Sequence, residues 1–131
     1  LVGIETKYHE DCRVESPPKE ERLSRYRGVS ERSGVFRDGA IASIPGTPLQ
    51  QIWQDHILAL SMLQDEETSW AWVKFVLVYP ARNPSFARAA AAYADLLEDP
   101  ATFEARTLES LLESWPGDEA DGASFRSRYL W

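Results

Sequence analysis

Residues 70–80, WAWVKFVLVYP, leave this chain few ways to fold. The stretch is almost continuously apolar and rich in β-branched residues, with neither the alternation of a half-wet strand nor the spacing of an amphipathic helix. A strand of this kind is buried on both faces, which places it inside a sheet covered by helices. Pro80 ends it, because proline cannot donate to a ladder. Around it the pattern changes period. Leu49, Ile52, Trp53, His56, Ile57, Leu60 and Leu63 recur every three or four residues, so a helix is expected after Thr47 as cap, Pro48 at its first position and Gln50 completing a capping box. Asp65, Glu66 and Glu67 oppose the helix dipole and should end it. A second helix is expected from Asn83 and Pro84, with Phe86, Ala89, Ala90, Tyr93 and Leu97 on its face and Pro100 as its limit.

The ends of the chain are read in the same way. LVGIETKY alternates with a period of two and predicts a strand over residues 1–8. Because the pattern is already running at residue 1, we expect the natural chain to extend upstream. Residues 9–46 are polar and broken by Pro17, Pro18, Gly28, Gly34, Gly39, Pro45 and Gly46. They read as a long loop or insertion with a short helix over 19–26. TFEART (102–107) predicts an edge strand, and Thr107 caps a helix with the stripe Leu108, Leu111, Leu112 and Trp115. Residues 118–123 read as a linker, and Phe125, Tyr129 and Trp131 as a tail docking on the core. Alternating strands and helices in 131 residues make one α/β domain.

Charge narrows the function classes. The first 40 residues carry eight basic and eight acidic groups, and the other 91 carry six and 13, so the whole net charge of −7 belongs to the latter. That excludes a protein holding nucleic acid by bulk charge and directs any polyanion to the first third of the chain. No apolar run approaches the roughly 20 residues that cross a bilayer, and the opening residues are no secretory leader. The lone Cys12 has no partner for an internal disulfide, so a cytoplasmic location is expected.

Glu5 and Lys7 are the residues with chemistry. Two positions apart on a strand, they share a face at roughly 7 Å, beside Gly3. A carboxylate helps to hold a hard cation such as Mg²⁺ or Mn²⁺. An ammonium beside it can orient water or offset charge on phosphate oxygens. By itself the spacing is common by chance, and an exposed strand face with a weak ion pair is the plainer account of it.

GIETKY, followed by Glu10 and by the later segments VLVYPARNP and FEARTLESLL, resembles the PD-(D/E)XK nuclease superfamily over most of residues 1–115. The resemblance implies a restriction-endonuclease-like α/β sandwich, a central mixed sheet with helices on both faces. It implies Mg²⁺- or Mn²⁺-dependent hydrolysis of DNA, with Glu5 as metal ligand, Lys7 as catalytic lysine and the Thr6 carbonyl facing the metal. It also implies a glutamine on the first long helix directed at the site, for which Gln51 is chosen over Gln50 and Gln54. Such enzymes carry an aspartate on the strand before E-x-K. None precedes Leu1 here, so an upstream segment supplies it or the domain is an inactive module for protein or nucleic-acid interaction. A homodimer is the analogous way to cut two strands.

Other residues with reactive side chains have plainer readings. His56 lies in an apolar stripe and reads as a satisfied core histidine. His9, Glu10, Asp11 and Cys12 are consecutive and cannot easily wrap one ion, so they read as solvated loop, with Glu10 kept as an auxiliary ligand. Arg25, Arg27 and Arg32, near Tyr26 and Phe36, are candidate contacts to DNA phosphates and bases.

Overall fold

The structure, a computed structural model, describes residues 1–114 and 116–130. Three strands, β1 (Val2–Thr6), β2 (Lys74–Tyr79) and β3 (Phe103–Thr107), form one sheet in the order β1-β2-β3. Both pairings are parallel, with Gly3 opposite Phe75 and Phe75 opposite Phe103. The described sheet is thus parallel throughout, where a mixed one was expected. The apolar run becomes the central strand, and its Phe75, Leu77, Val78 and Tyr79 are buried.

Five helices accompany the sheet: α1 (Glu20–Ser33), α2 (Gln50–Leu63), α3 (Pro84–Ala94), α4 (Leu108–Glu113) and α5 (Glu119–Tyr129). Helices α2 and α3 lie on the face formed by Phe75, Tyr79 and Phe103, and their own Ile52, His56, Leu60, Phe86, Ala89 and Tyr93 are buried there. The opposite face is bare along β1, with Val2 48% and Ile4 66% exposed. Along β1, then, the described residues put helices on one face only, while Val78 on the reverse of β2 is buried.

The capping signals locate the helices with small shifts. Asn83 accepts from the Phe86 amide and Thr107 from the Ser110 amide, as expected. Helix α2 begins slightly later than the box pattern implies. Thr47 Oγ1 accepts from the Leu49 amide, and Gln50 reaches back to the Gly46 amide (2.8 Å) rather than to Thr47.

Two stretches expected to be irregular are helical. Helix α1 runs to Ser33 because Leu23, Tyr26 and Ser30 bring one narrow stripe onto α2, where Trp53 Nε1 donates to Ser30 Oγ (2.9 Å). Gly28 sits inside it, and the stop comes at Gly34, whose φ of 67° suits a left-handed cap. Residues 118–123 are not a linker: Asp118 caps α5 through the Ala120 amide. Helix α5 meets the end of β1 through Tyr8, whose hydroxyl donates to the Tyr129 carbonyl (2.7 Å), while Phe125 and Tyr129 stay partly exposed. Trp115 and Trp131 lie outside the described residues.

His56 is the polar centre of the core. It is fully buried among Phe36, Phe75, Tyr93 and Phe103, with Nδ1 2.9 Å from the Tyr93 hydroxyl and Nε2 3.0 Å from the Thr102 hydroxyl. Burial holds its pKa down to about 4 from the ordinary 6.5. The unfolded chain therefore takes up a proton below pH 6.5 that the fold refuses until about pH 4. Stability is full above 6.5 and falls as the pH drops towards 4, by roughly 3 kcal/mol in all. Urea unfolding should show the native chain losing about 2 kcal/mol more than His56→Gln between pH 7 and pH 5. Equal losses would show that His56 does not resist protonation.

Candidate active site

The geometry of the site follows from how closely α2 approaches β1. Gly3, Glu5 and Lys7 occupy the β1 face that α2 covers. A methyl group added at Gly3 would touch the Ala59 Cβ at 3.7 Å, so strand and helix lie one small side chain apart. Helix and strand run antiparallel here. Four helical residues advance about 6 Å and two strand residues about 6.6 Å, so moving from Ala59 to Asp55 keeps pace with moving from Gly3 to Glu5. Leu1, Gly3, Ile4, Glu5, Asp55 and Leu58 accordingly line one groove of about 310 Å³ along the free edge of β1.

Lys7 is 5% exposed, at the end of the strand, with its amide bonded to the Val78 carbonyl (2.8 Å). Its Nζ donates to Glu5 Oε1 at 2.8 Å, and the Glu5 side chain keeps 40% of its surface. Lysine is almost never buried without a partner. Here the partner is the carboxylate two residues earlier on the same face, so the pair picked out in the sequence is joined.

The ladder fixes the Thr6 carbonyl as well. Lys74 N donates to the Leu1 carbonyl and Lys7 N to the Val78 carbonyl, so odd residues of β1 spend their backbone groups on β2. Alternation turns those of Thr6 to the free edge. Glu10 is exposed, and its carboxylate accepts from the Tyr8 amide (3.0 Å). Partial burial pushes its pKa up, but backbone donors and the Lys7 charge outweigh that and hold it below the usual range. Gln51 lies one turn before Asp55 on the same helical face and is half-buried. Gln50 is buried and serves the loops, bonding Gly46 and the Ser16 carbonyl.

The arginines are elsewhere. Arg25 pairs with Glu21 (2.9 Å) and Arg27 with Glu20 (3.5 Å) on α1 itself, and Arg32 Nε bonds Gln64 on α2 (3.1 Å). Helix α1 packs on the Trp53 side of α2, which the helical wheel sets far from Asp55. No described contact joins these arginines to Glu5 or Lys7. Cys12 donates its thiol to the Pro48 carbonyl, and burial pushes its pKa up. Among the described residues no group of three or more His, Cys, Asp or Glu side chains is arranged to hold a metal, so His9, Asp11 and Cys12 form no ligand cluster.

Asp55 had no signal in the sequence, where it falls between stripe residues and reads as solvent-facing. Its Oδ2 is shut off from solvent without a hydrogen-bond partner among the described residues. Burial, then the charges of Glu5 and Glu15, raise its pKa to about 6, with Lys7 acting against them. A second opening of about 510 Å³ lies past the carboxyl ends of all three strands, lined by Tyr8, Arg82, Asn83, Glu109 and Tyr129. Ligands of open α/β sheets commonly bind at such ends.

Asp55 carries a charge that the fold penalises above pH 6 and that is relieved as the pH falls from 6 towards 3.8. After discounting for its partial exposure, Asp55→Asn should gain about 1–2 kcal/mol of stability at pH 8 in EDTA. The gain should vanish near pH 4. Thermal unfolding at the two pH values checks it, and a destabilised variant at pH 8 would contradict it.

A family model described as the PD-(D/E)XK nuclease superfamily matches residues 1–131. No curated protein and no solved structure matches the chain significantly.

Proposed function

The chain belongs to the PD-(D/E)XK nuclease superfamily, and from that premise we propose that it hydrolyses phosphodiester bonds of DNA with Mg²⁺ or Mn²⁺. The observation that carries the proposal is the buried Lys7 ammonium held at 2.8 Å by the half-exposed Glu5 carboxylate. The donors here are all oxygens, which suits a hard cation. Glu5 would hold it through a carboxylate and Thr6 through its edge-facing carbonyl, with Glu10 as an auxiliary oxygen. When bound, the cation supplies Lewis acidity at the phosphate and lowers the pKa of a water.

The protein's own residues do the rest. Glu5 fixes the direction of the Lys7 side chain through their 2.8 Å bond, so the ammonium is already in place when negative charge grows on the phosphate oxygens. Water adds to phosphorus and gives up a proton, the ester P–O bond breaks, and the departing oxygen takes up a proton, so each cut consumes one water. Gln51, one turn before Asp55 on α2, would orient that water. Arg25, Arg27 and Arg32 would meet DNA only at a distance from the site and after giving up their present partners. A second copy would serve the opposite strand. The mixed, doubly covered sheet of the family would need a further strand at the β1 edge and a layer over Val2 and Ile4.

One observation favours the competing reading of an inactive interaction module: the absence, among the described residues, of three clustered metal-ligating side chains. Cleavage of duplex DNA in Mg²⁺ separates the two. Lys7→Ala should slow it at least ~100-fold and Glu5→Ala should abolish it. Cleavage that survives both changes would refute the site, and a chain with no Mg²⁺-dependent cleavage would support the module.

A further inference from the structure

We propose that Asp55 is a cation-holding carboxylate of this site, binding the same divalent ion as Glu5. The inference rests on the nuclease reading above and adds to it a ligand from α2, outside the E-x-K strand.

Three observations converge on it. Asp55 Oδ2 is closed to solvent and has no hydrogen-bond partner among the described residues. An unpaired carboxylate oxygen in such a place is costly, and a bound ion is among the few things that explain it. Position is the second. The close seat of Ala59 over Gly3 brings the next turn of α2 beside Glu5, and both carboxylates line the groove at the free edge of β1. The backbone carbonyl of Thr6, the residue after Glu5, is turned to that same free edge. Magnesium is usually held by one or two carboxylates, with waters and substrate completing its shell.

Charge is the third. Lys7 is already engaged by Glu5 at 2.8 Å. Glu5 and Asp55 both line the groove, so two carboxylates share that one ammonium. A hard divalent cation balances that excess. His56, the next residue, takes no part, since both its ring nitrogens bond inside the core.

The test is calorimetric titration of Mn²⁺ into the whole chain, native and with Asp55→Asn or Glu5→Gln, each first shown by thermal unfolding in EDTA to be folded. Both changes should weaken Mn²⁺ binding roughly tenfold or more. The double variant should lose no more than a few-fold beyond the worse single one, because the two groups would share one ion. If Glu5→Gln loses Mn²⁺ while Asp55→Asn binds within twofold of the native chain, Asp55 is not a ligand and the nuclease reading stands. If the native chain takes up no Mn²⁺, or Glu5→Gln binds as well as the native chain, the reading itself fails and this inference with it. If Asp55→Asn and Asp55→Ser both fail to fold, Asp55 is a structural residue and the proposal is overturned.

Discussion

Parallel strands cannot be joined by tight turns, and most of this architecture follows from that. Each step from one strand to the next must cross back over the sheet, and such crossovers are right-handed in nearly all proteins. The strands here follow chain order, so successive right-handed crossings in one direction place α2 and α3 on the same face. That face is filled by Phe75, Tyr79, Phe103 and the His56 cluster, and the reverse of β1 stays bare. A reversal of strand order would have been needed to bring a crossing helix to the other side.

The same crossing creates the polar site. Helix α2 can lie against β1 because Gly3 and Ala59 present almost nothing between them. Larger residues at that pair would lift the helix, and Glu5 and Asp55 would each regain water. Close packing thus brings two like charges together with only part of their surface left to solvent, and the buried Lys7 is bonded to only one of them. His56, one residue from Asp55, meets burial with the opposite response. The imidazole stays neutral and satisfied, while the carboxylate is left with an unpaired oxygen.

Much of this was legible from residue types. The buried strand, the caps at Asn83 and Thr107 and the shared face of Glu5 and Lys7 depend on local chemistry, and they occur where the spacing puts them. The second half of helix α1, past the short helix expected over 19–26, was hidden because its buried stripe is narrow and is interrupted by Gly28, a residue that normally weakens a helix. It is held by tertiary contact with Trp53, which no local pattern records. Asp55 was hidden for a related reason. On α2 alone it occupies the polar side, and only the pairing of that helix with β1 encloses it. A residue whose role depends on two elements meeting has no signature in either.

Electrostatics then decide how such a chain can approach a polyanion. Net charge is −7, and Arg25 and Arg27 are neutralised by glutamates of their own helix. The opening at the carboxyl ends of the strands has Arg82 on its rim, with Glu109 and Asp11 close by. Without a metal, the carboxylates around Lys7 repel phosphate. With a divalent ion among them, the local sign reverses over a distance comparable to the roughly 8 Å screening length at physiological salt. Binding governed by one such site releases few counterions, so it should depend far more on the divalent ion than on monovalent salt. On the proposed reading an acidic protein would address a polyanion at one point, and the point would be set by where α2 meets β1.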